Sequence, residues 1–152
     1  MKFPYGIADF QTVVRSGYFY VDRTSLIPAI EEAGQQLLFL RPRRFGKSLL
    51  LSMLEHYYDL ARADQFQQTF GHLAIGRAPT ELRSQYFVLK WDCSMVSSQG
   101  NIETLSQSLY EHINKEIVRF NEKGKARSPS RPRGHWAFCY THHSQFTIHH
   151  SP

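Results

Sequence analysis

The chain has 152 residues, 41% apolar and 14% aromatic, a composition that suits one globular domain with a buried core and excludes a disordered chain. No apolar run is long enough to span a membrane, and the N-terminus lacks the apolar stretch of a secretory signal. Two cysteines argue against a disulfide scaffold, so we expect a cytoplasmic protein with no membrane partner.

The formal net charge of +5 is concentrated near the C-terminus. Residues 1–123 hold 14 Lys and Arg against 13 Asp and Glu, a net charge of +1, whereas residues 124–152 hold four cations and no acid. This distribution weakens the case for a nucleic-acid-binding protein. Within residues 1–123 the tight positive cluster is formed by Arg41, Arg43, Arg44 and Lys47.

The first part of the chain predicts short helices around one apolar strand. Residues 8–15 predict a short helix, residues 18–24 an extended segment and residues 25–33 a second helix. Residues 36–40, QLLFL, predict a buried strand, since they are apolar without alternation. Residues 48–62 predict the strongest helix, whose wide apolar coverage indicates packing on more than one side.

The following part predicts a second strand and a long helix. Residues 63–84 predict a short helix, a loop and a turn, and residues 85–92 predict a strand rich in aromatic and β-branched side chains. Residues 101–121 predict an amphipathic helix with Asn101 as its N-cap. Strands that alternate with helices predict an α/β fold with a parallel sheet flanked by helices.

Residues 124–152 differ in composition from the rest of the chain. They contain no leucine, no acid, three prolines and five of the eight histidines, and they show neither a helical nor a strand period. We expect a linker or disordered tail, or an end read out of frame. Cys139 and the histidines lack the spacing of a folded zinc module, so we expect no structural zinc.

Gly46, Lys47 and Ser48 follow the first predicted strand and open the strongest predicted helix. The first N–H groups of a helix have no partner within the helix, and the helix dipole attracts anions there. Glycine lets the main chain approach a phosphate, lysine reaches the terminal phosphates, and the serine hydroxyl suits Mg²⁺. This pattern predicts a phosphate-binding loop.

The match to the phosphate-loop pattern G-x-x-x-x-G-K-[ST] is incomplete. The pattern spans residues 41–48, where Arg41 occupies the first glycine position and Pro42 lacks an N–H donor. A basic turn that only caps the helix is therefore the alternative interpretation.

The chain resembles the AAA-ATPase-like family of bacterial proteins over roughly residues 3–122. In that family an RPRRFGKS-type loop, found here at residues 41–48, replaces the usual first glycine. The opening FPYGIADFQTVVRSGYFYVDRT and the later YFVLKWDCS at residues 86–94 are similar to further family patterns. The resemblance implies a P-loop NTPase fold that binds ATP with Mg²⁺. The nucleotide-binding residues it implies are Arg44, Phe45, Gly46, Lys47, Ser48 and Leu49, with Ser48 as the metal ligand.

The same resemblance implies an incomplete protein. Longer members continue with a strand that carries the acidic Walker B residues, and often with a nuclease-like domain, neither of which is recognisable here. Asp92 ends the second predicted strand, and we interpret it as a strand-end residue rather than that acid. We therefore expect residues 1–123 to be the N-terminal part of a P-loop domain that binds nucleotide without efficient hydrolysis.

The sequence is also compatible with two other functions. A non-enzymatic nucleic-acid-binding module would use the basic loop and the basic tail to neutralise phosphates. An inactive gene fragment would expose an incomplete sheet and a poorly covered apolar helix. The oligomeric state is not indicated by the sequence.

Overall fold

The computed structural model describes residues 1–34, 36–42, 44–92, 101–125, 134–140 and 145–151. The helices in these residues are α1 (Phe10–Arg15), α2 (Ile27–Glu32), α3 (Lys47–Tyr58), α4 (Phe66–Phe70), α5 (Ala74–Arg77) and α6 (Ile102–Lys125). Short 3₁₀ helices span Thr24–Leu26 and Leu60–Gln65. The strands are β1 (Gln36–Leu40), β2 (Tyr86–Asp92), β3 (Gly134–Tyr140) and β4 (Gln145–Ser151).

The predicted mixture of helices and strands is confirmed, but the predicted parallel sheet is not. The strands form one sheet in the order β1-β4-β3-β2, in which only β2 and β3 pair in parallel. Strand β4 is antiparallel to both of its neighbours. Four residues separate β3 from β4, and so short a connection joins antiparallel strands, because a parallel pair needs a long crossover.

Strands β1 and β2 nevertheless run in the same direction. β1 is antiparallel to β4, β4 is antiparallel to β3, and β3 is parallel to β2. The carboxyl ends of β1 and β2 therefore meet the same edge of the sheet, with β4 and β3 between them. The loop that follows β1 leaves the sheet at that edge.

The end of the chain differs from its prediction. The sequence predicts no regular structure in residues 124–152, but α6 continues to Lys125 and the backbone forms β3 and β4. Both strands lie between β1 and β2. Neither segment shows the alternation of apolar and polar residues that is typical of a strand, so only the structure identifies them as strands. The proposed domain boundary after residue 123 stays a prediction.

Helix α3 is the centre of the hydrophobic core, as its wide apolar coverage predicts. Its Leu51, Leu54 and Tyr57 are at most 1% exposed. The ring of Phe70 from α4 lies 5.5 Å from the Tyr57 ring and 5.3 Å from the Phe10 ring of α1. Helices that come before and after α3 in the sequence therefore pack around it. None of the helices in the described residues has the length and apolar character that a membrane span requires.

Strand β1 is buried on one face only, so its prediction as a buried strand is wrong for the other face. Leu37 and Phe39 pack against the core, whereas Leu38 and Leu40 are 60% and 59% exposed. Successive side chains of a strand point to opposite faces of the sheet. Because all four residues are apolar, the sequence did not show which face is covered.

Candidate functional site: the loop between β1 and α3

Residues 41–46 join the end of β1 to the start of α3, and Arg43 lies outside the described residues. Gly46 is the N-cap of α3 with a φ of 74°, and Leu50 N donates to its carbonyl at 2.9 Å to begin the helix. Arg44 has a φ of 67°, a left-handed conformation that costs a non-glycine residue about 1–2 kcal/mol. The surrounding structure therefore holds this loop in a strained shape.

Lys47 connects the two ends of the loop. Its Nζ donates to the carbonyl oxygen of Arg41 at 2.6 Å and to that of Pro42 at 2.9 Å. The residue is 6% exposed, and none of the described carboxylates forms an ion pair with it. An ammonium group has three N–H donors, so these contacts leave one for a ligand.

The other predicted site residues surround this lysine along the chain. Arg44 and Phe45 are exposed at the tip of the loop. Ser48 and Leu49 are half-buried in the first turn of α3, and Leu49 packs against the core. The structure thus brings residues 44–49 together as a strand-loop-helix corner, which is the context that the sequence predicts.

The electrostatics of this corner favour an anion. Arg41 is exposed, with its guanidinium 5.5 Å from the centre of the Phe39 ring, and residues 41–48 contain no acid. The first N–H groups of α3 have no acceptors within the helix, and the helix dipole adds a partial positive charge there. The loop can therefore hold a phosphate group through main-chain donors and fixed positive charges.

Sequence reasoning missed the acceptors of Lys47. Pro42 entered the prediction only as a residue without an N–H donor, yet its carbonyl and that of Arg41 bind the ammonium group. Every residue carries a carbonyl, so no residue type signals such acceptors. Their position five and six residues before the lysine is the one signal, and it has meaning only once the loop is folded.

Asp22 and Thr24 precede α2 in the sequence but stabilise the distant helix α5. Asp22 Oδ2 accepts a hydrogen bond from Ala74 N at 2.7 Å, and Thr24 Oγ1 accepts one from Ile75 N at 3.2 Å. Partial burial raises the pKa of the Asp22 carboxyl, but hydrogen bonds from Thr24 and Ala74 outweigh it, so the net shift is downward. These residues hold α5 in place.

His56 is buried, whereas His72 is exposed. Asp92 is the last residue of β2. Cys93 lies outside the described residues. Among the described residues, no group of three or more His, Cys, Asp or Glu side chains could hold a metal ion.

Comparisons with known proteins place the chain in a family. The family model described as "AAA-ATPase_like: Predicted AAA-ATPase" matches residues 4–148. The chain is also similar to the "Uncharacterized protein in vnfD 5'region" of Azotobacter chroococcum mcd 1, with 42% identity over 59 residues. The match covers 38% of this chain and 11% of that relative, so the chain spans a small part of the relative's length. No solved structure matches the chain.

The family match extends over nearly the whole chain, including the strand, the loop and the helix just described. The chain therefore belongs to the AAA-ATPase-like family of predicted AAA-ATPases.

Proposed function

We propose that the chain is an ATP-binding P-loop module that captures the terminal phosphates of ATP, together with Mg²⁺, at residues 44–49. The observation that carries this proposal is the buried ammonium of Lys47, fixed across the loop by the carbonyls of Arg41 and Pro42 at the N-terminus of α3. A helix-capping turn alone needs no buried lysine at this position, because Gly46 already serves as the N-cap of α3. We place this activity in the reducing cytoplasm, since the chain has two cysteines.

Each residue of the loop has a distinct proposed role. Left-handed residues such as Arg44 and Gly46 turn successive main-chain N–H groups towards one centre, which is how protein backbones form anion-binding concavities. Lys47 supplies its remaining N–H donor to the β and γ phosphates. The hydroxyl of Ser48 supplies an oxygen ligand to Mg²⁺. We propose binding without efficient hydrolysis, because the sequence shows no recognisable Walker B acid to help position the attacking water.

Replacement of Lys47 by alanine tests the proposal. Loss of a charged hydrogen-bond donor should weaken ATP-Mg²⁺ binding by about 2–3 kcal/mol, roughly 30- to 150-fold. Isothermal titration calorimetry measures this change, and Lys115→Ala is the control, since Lys115 is exposed on α6. Tripolyphosphate should bind the wild type and lose affinity in the same variant, because the proposed contacts are to phosphates.

A second variant separates ligand contact from loop folding. Ser48→Ala removes the proposed metal ligand but leaves the contacts of Lys47, so it should weaken ATP binding in Mg²⁺ and leave ATP binding in EDTA unchanged.

Equal ATP affinity in the wild type and in Lys47→Ala would contradict the proposal. DNA or RNA binding that survives Lys47→Ala and falls steeply with salt would support the nucleic-acid-binding alternative instead.

A further inference from the structure

One face of the sheet leaves apolar side chains of β1 exposed. In β2, Val88 is buried in the core on the α3 side, whereas the ring of Phe87 lies 6.0 Å from that of Phe120 in α6. Helix α6 therefore covers the face opposite α3, which we call the outer face. In β1, Leu37 and Phe39 pack against the core. Successive side chains of a strand alternate between faces, so the exposed Leu38 and Leu40 point to the outer face.

The outer face has room for a second helix beside α6. β1 lies three strand spacings from β2, or about 14 Å, whereas packed helices lie about 8–10 Å apart. Leu38 and Leu40 are 60% and 59% exposed, so α6 does not cover them. An apolar helix surface that packs beside α6 would bury both leucines.

The N-terminal half of α6 presents such a surface. From Phe120 back to Ile102 the helix rises about 27 Å, whereas β2 rises about 17 Å from Phe87 to Asp92, so the first turns of α6 project past the strand. Ile102, Leu105 and Tyr110 are 86%, 39% and 67% exposed. We call these three exposed apolar residues the α6 N-terminal surface. Ile117 and Val118, further along the helix, are also exposed, at 39% and 55%.

The two uncovered surfaces carry opposite charge. Arg41 follows Leu40 directly, Arg44 lies three residues further on, and both are exposed. Residues 36–48 contain no acid. Residues 101–114 of α6 contain Glu103 and Glu111, both exposed, and no lysine or arginine. The basic end of β1 and the acidic half of α6 are therefore complementary in both apolar character and charge.

We propose that the chain forms a two-fold symmetric dimer in which the α6 N-terminal surface of each copy packs on Leu38 and Leu40 of the other. Glu103 and Glu111 of one copy then face Arg41 and Arg44 of the other. In a two-fold dimer each contact occurs twice, so both uncovered surfaces of both copies are buried at once. This arrangement also explains why β1 is apolar on both faces.

Single aspartate substitutions on each surface test the apolar contacts. Leu40→Asp and Ile102→Asp should each weaken the dimer at least tenfold per contact, or roughly a hundredfold in total, because the substitution occurs twice. Sedimentation equilibrium measures the dissociation constant. The matched controls are Leu26→Asp and Val118→Asp, at residues that are 56% and 55% exposed and lie outside both surfaces, and they should leave the dimer intact.

A charge exchange tests the pairing of the two surfaces. Arg41→Glu and Glu111→Arg should each weaken the dimer by roughly fivefold or more, and combining them in one chain should restore the affinity, since each pair is then re-formed with reversed sign. Added salt should weaken the wild-type dimer. Circular dichroism confirms that each variant is folded.

Three results would overturn the proposal. The wild type can remain monomeric at every concentration, the dimer can tolerate Ile102→Asp as well as it tolerates Val118→Asp, or the double charge variant can fail to recover. If Leu40→Asp does not fold, Ile102→Asp decides the apolar part, because Ile102 is 86% exposed and contributes little to the fold.

Discussion

The buried imidazole of His56 is held in one protonation state by its neighbours. Its Nε2 lies 2.9 Å from Nη1 of Arg62, and its Nδ1 lies 2.7 Å from the carbonyl oxygen of Ser52. Arginine only donates hydrogen bonds, so Nε2 accepts and Nδ1–H donates, which is the neutral ring. Burial lowers the pKa of His56 and Arg62 lowers it further, whereas the Ser52 carbonyl, Glu55 and the Asp9 carboxylate at 3.9 Å act in the opposite direction.

This histidine should make stability fall in mild acid. In the unfolded chain its pKa is 6.5, whereas in the folded protein it is lower, so below that pH the unfolded state binds the extra proton. The midpoint temperature of thermal unfolding should therefore decrease as the pH is lowered from about 7.5 to about 5.5. His56→Gln should be less stable at the higher pH but show a smaller fall, whereas His72→Gln, at an exposed position, should keep the wild-type fall. An identical fall in His56→Gln would contradict this account.

At this scale the sequence predicts residue types better than partners. Gly46, Lys47 and Ser48 were identifiable because their chemistry is specific and their spacing is fixed. The carbonyls that bind Lys47, and the Arg62 side chain that fixes His56, were not identifiable. Arg62 was predicted to lie within the helix that contains His56, but that helix ends at Tyr58 and the chain turns back through a 3₁₀ helix.

Among the elements, α5 depends on residues far from it in sequence. It spans four residues, too few to be stable as an isolated helix, and the side chains of Asp22 and Thr24 accept hydrogen bonds from its first two N–H groups. Thr24 is fully buried and also donates to Asp22 at 2.7 Å. The segment before α2 and helix α5 therefore behave as one unit.

Loss of either side chain should loosen this unit. Asp22→Asn and Thr24→Val should each lower the free energy of unfolding by about 1–2 kcal/mol, and the double variant should lose less than the sum, because the two residues share contacts. Urea unfolding measures the change. Asp64→Asn, on an exposed residue, is the control and should stay within about 0.5 kcal/mol of the wild type. Strict additivity would show that the two residues act independently.

The bounds of β1 and the N-cap of α6 were predictable from the sequence, whereas the burial of β1 was not. Strand β1 has the predicted bounds, and α6 begins after Asn101, whose Oδ1 accepts from Thr104 N at 2.9 Å as expected for an N-cap. Local pattern determines such features. Burial depends on what lies across the sheet, so the exposed Leu38 and Leu40 followed from no property of the segment itself.

For the whole molecule, the strands at the end of the chain complete the sheet. β1 and β2 have no direct pairing with each other, and β4 and β3 connect them. Sequence analysis did not predict this, because residues 134–151 carry neither a period nor leucines to mark a strand. The order of strands in a sheet is a long-range property that local patterns do not encode.

Removal of residues 126–152 should therefore destabilise the protein. It would leave β1 and β2 without their described partners and expose backbone groups that favour aggregation. The shortened chain should unfold at a lower temperature than the full chain and lose strand signal in circular dichroism. An unchanged unfolding temperature would show that the last strands are dispensable, as expected for a disordered tail.

The pairing of Gln36 with His149 sets an order of events during synthesis. The ribosome releases the helices around α3 long before it releases β4, so these helices can assemble first, whereas β1 pairs only after residues 145–151 have emerged. Gly46 lies between β1, which pairs late, and α3, which can pack early. In a nascent chain, the nucleotide affinity that we propose should therefore appear only after residues 145–151 have left the ribosome.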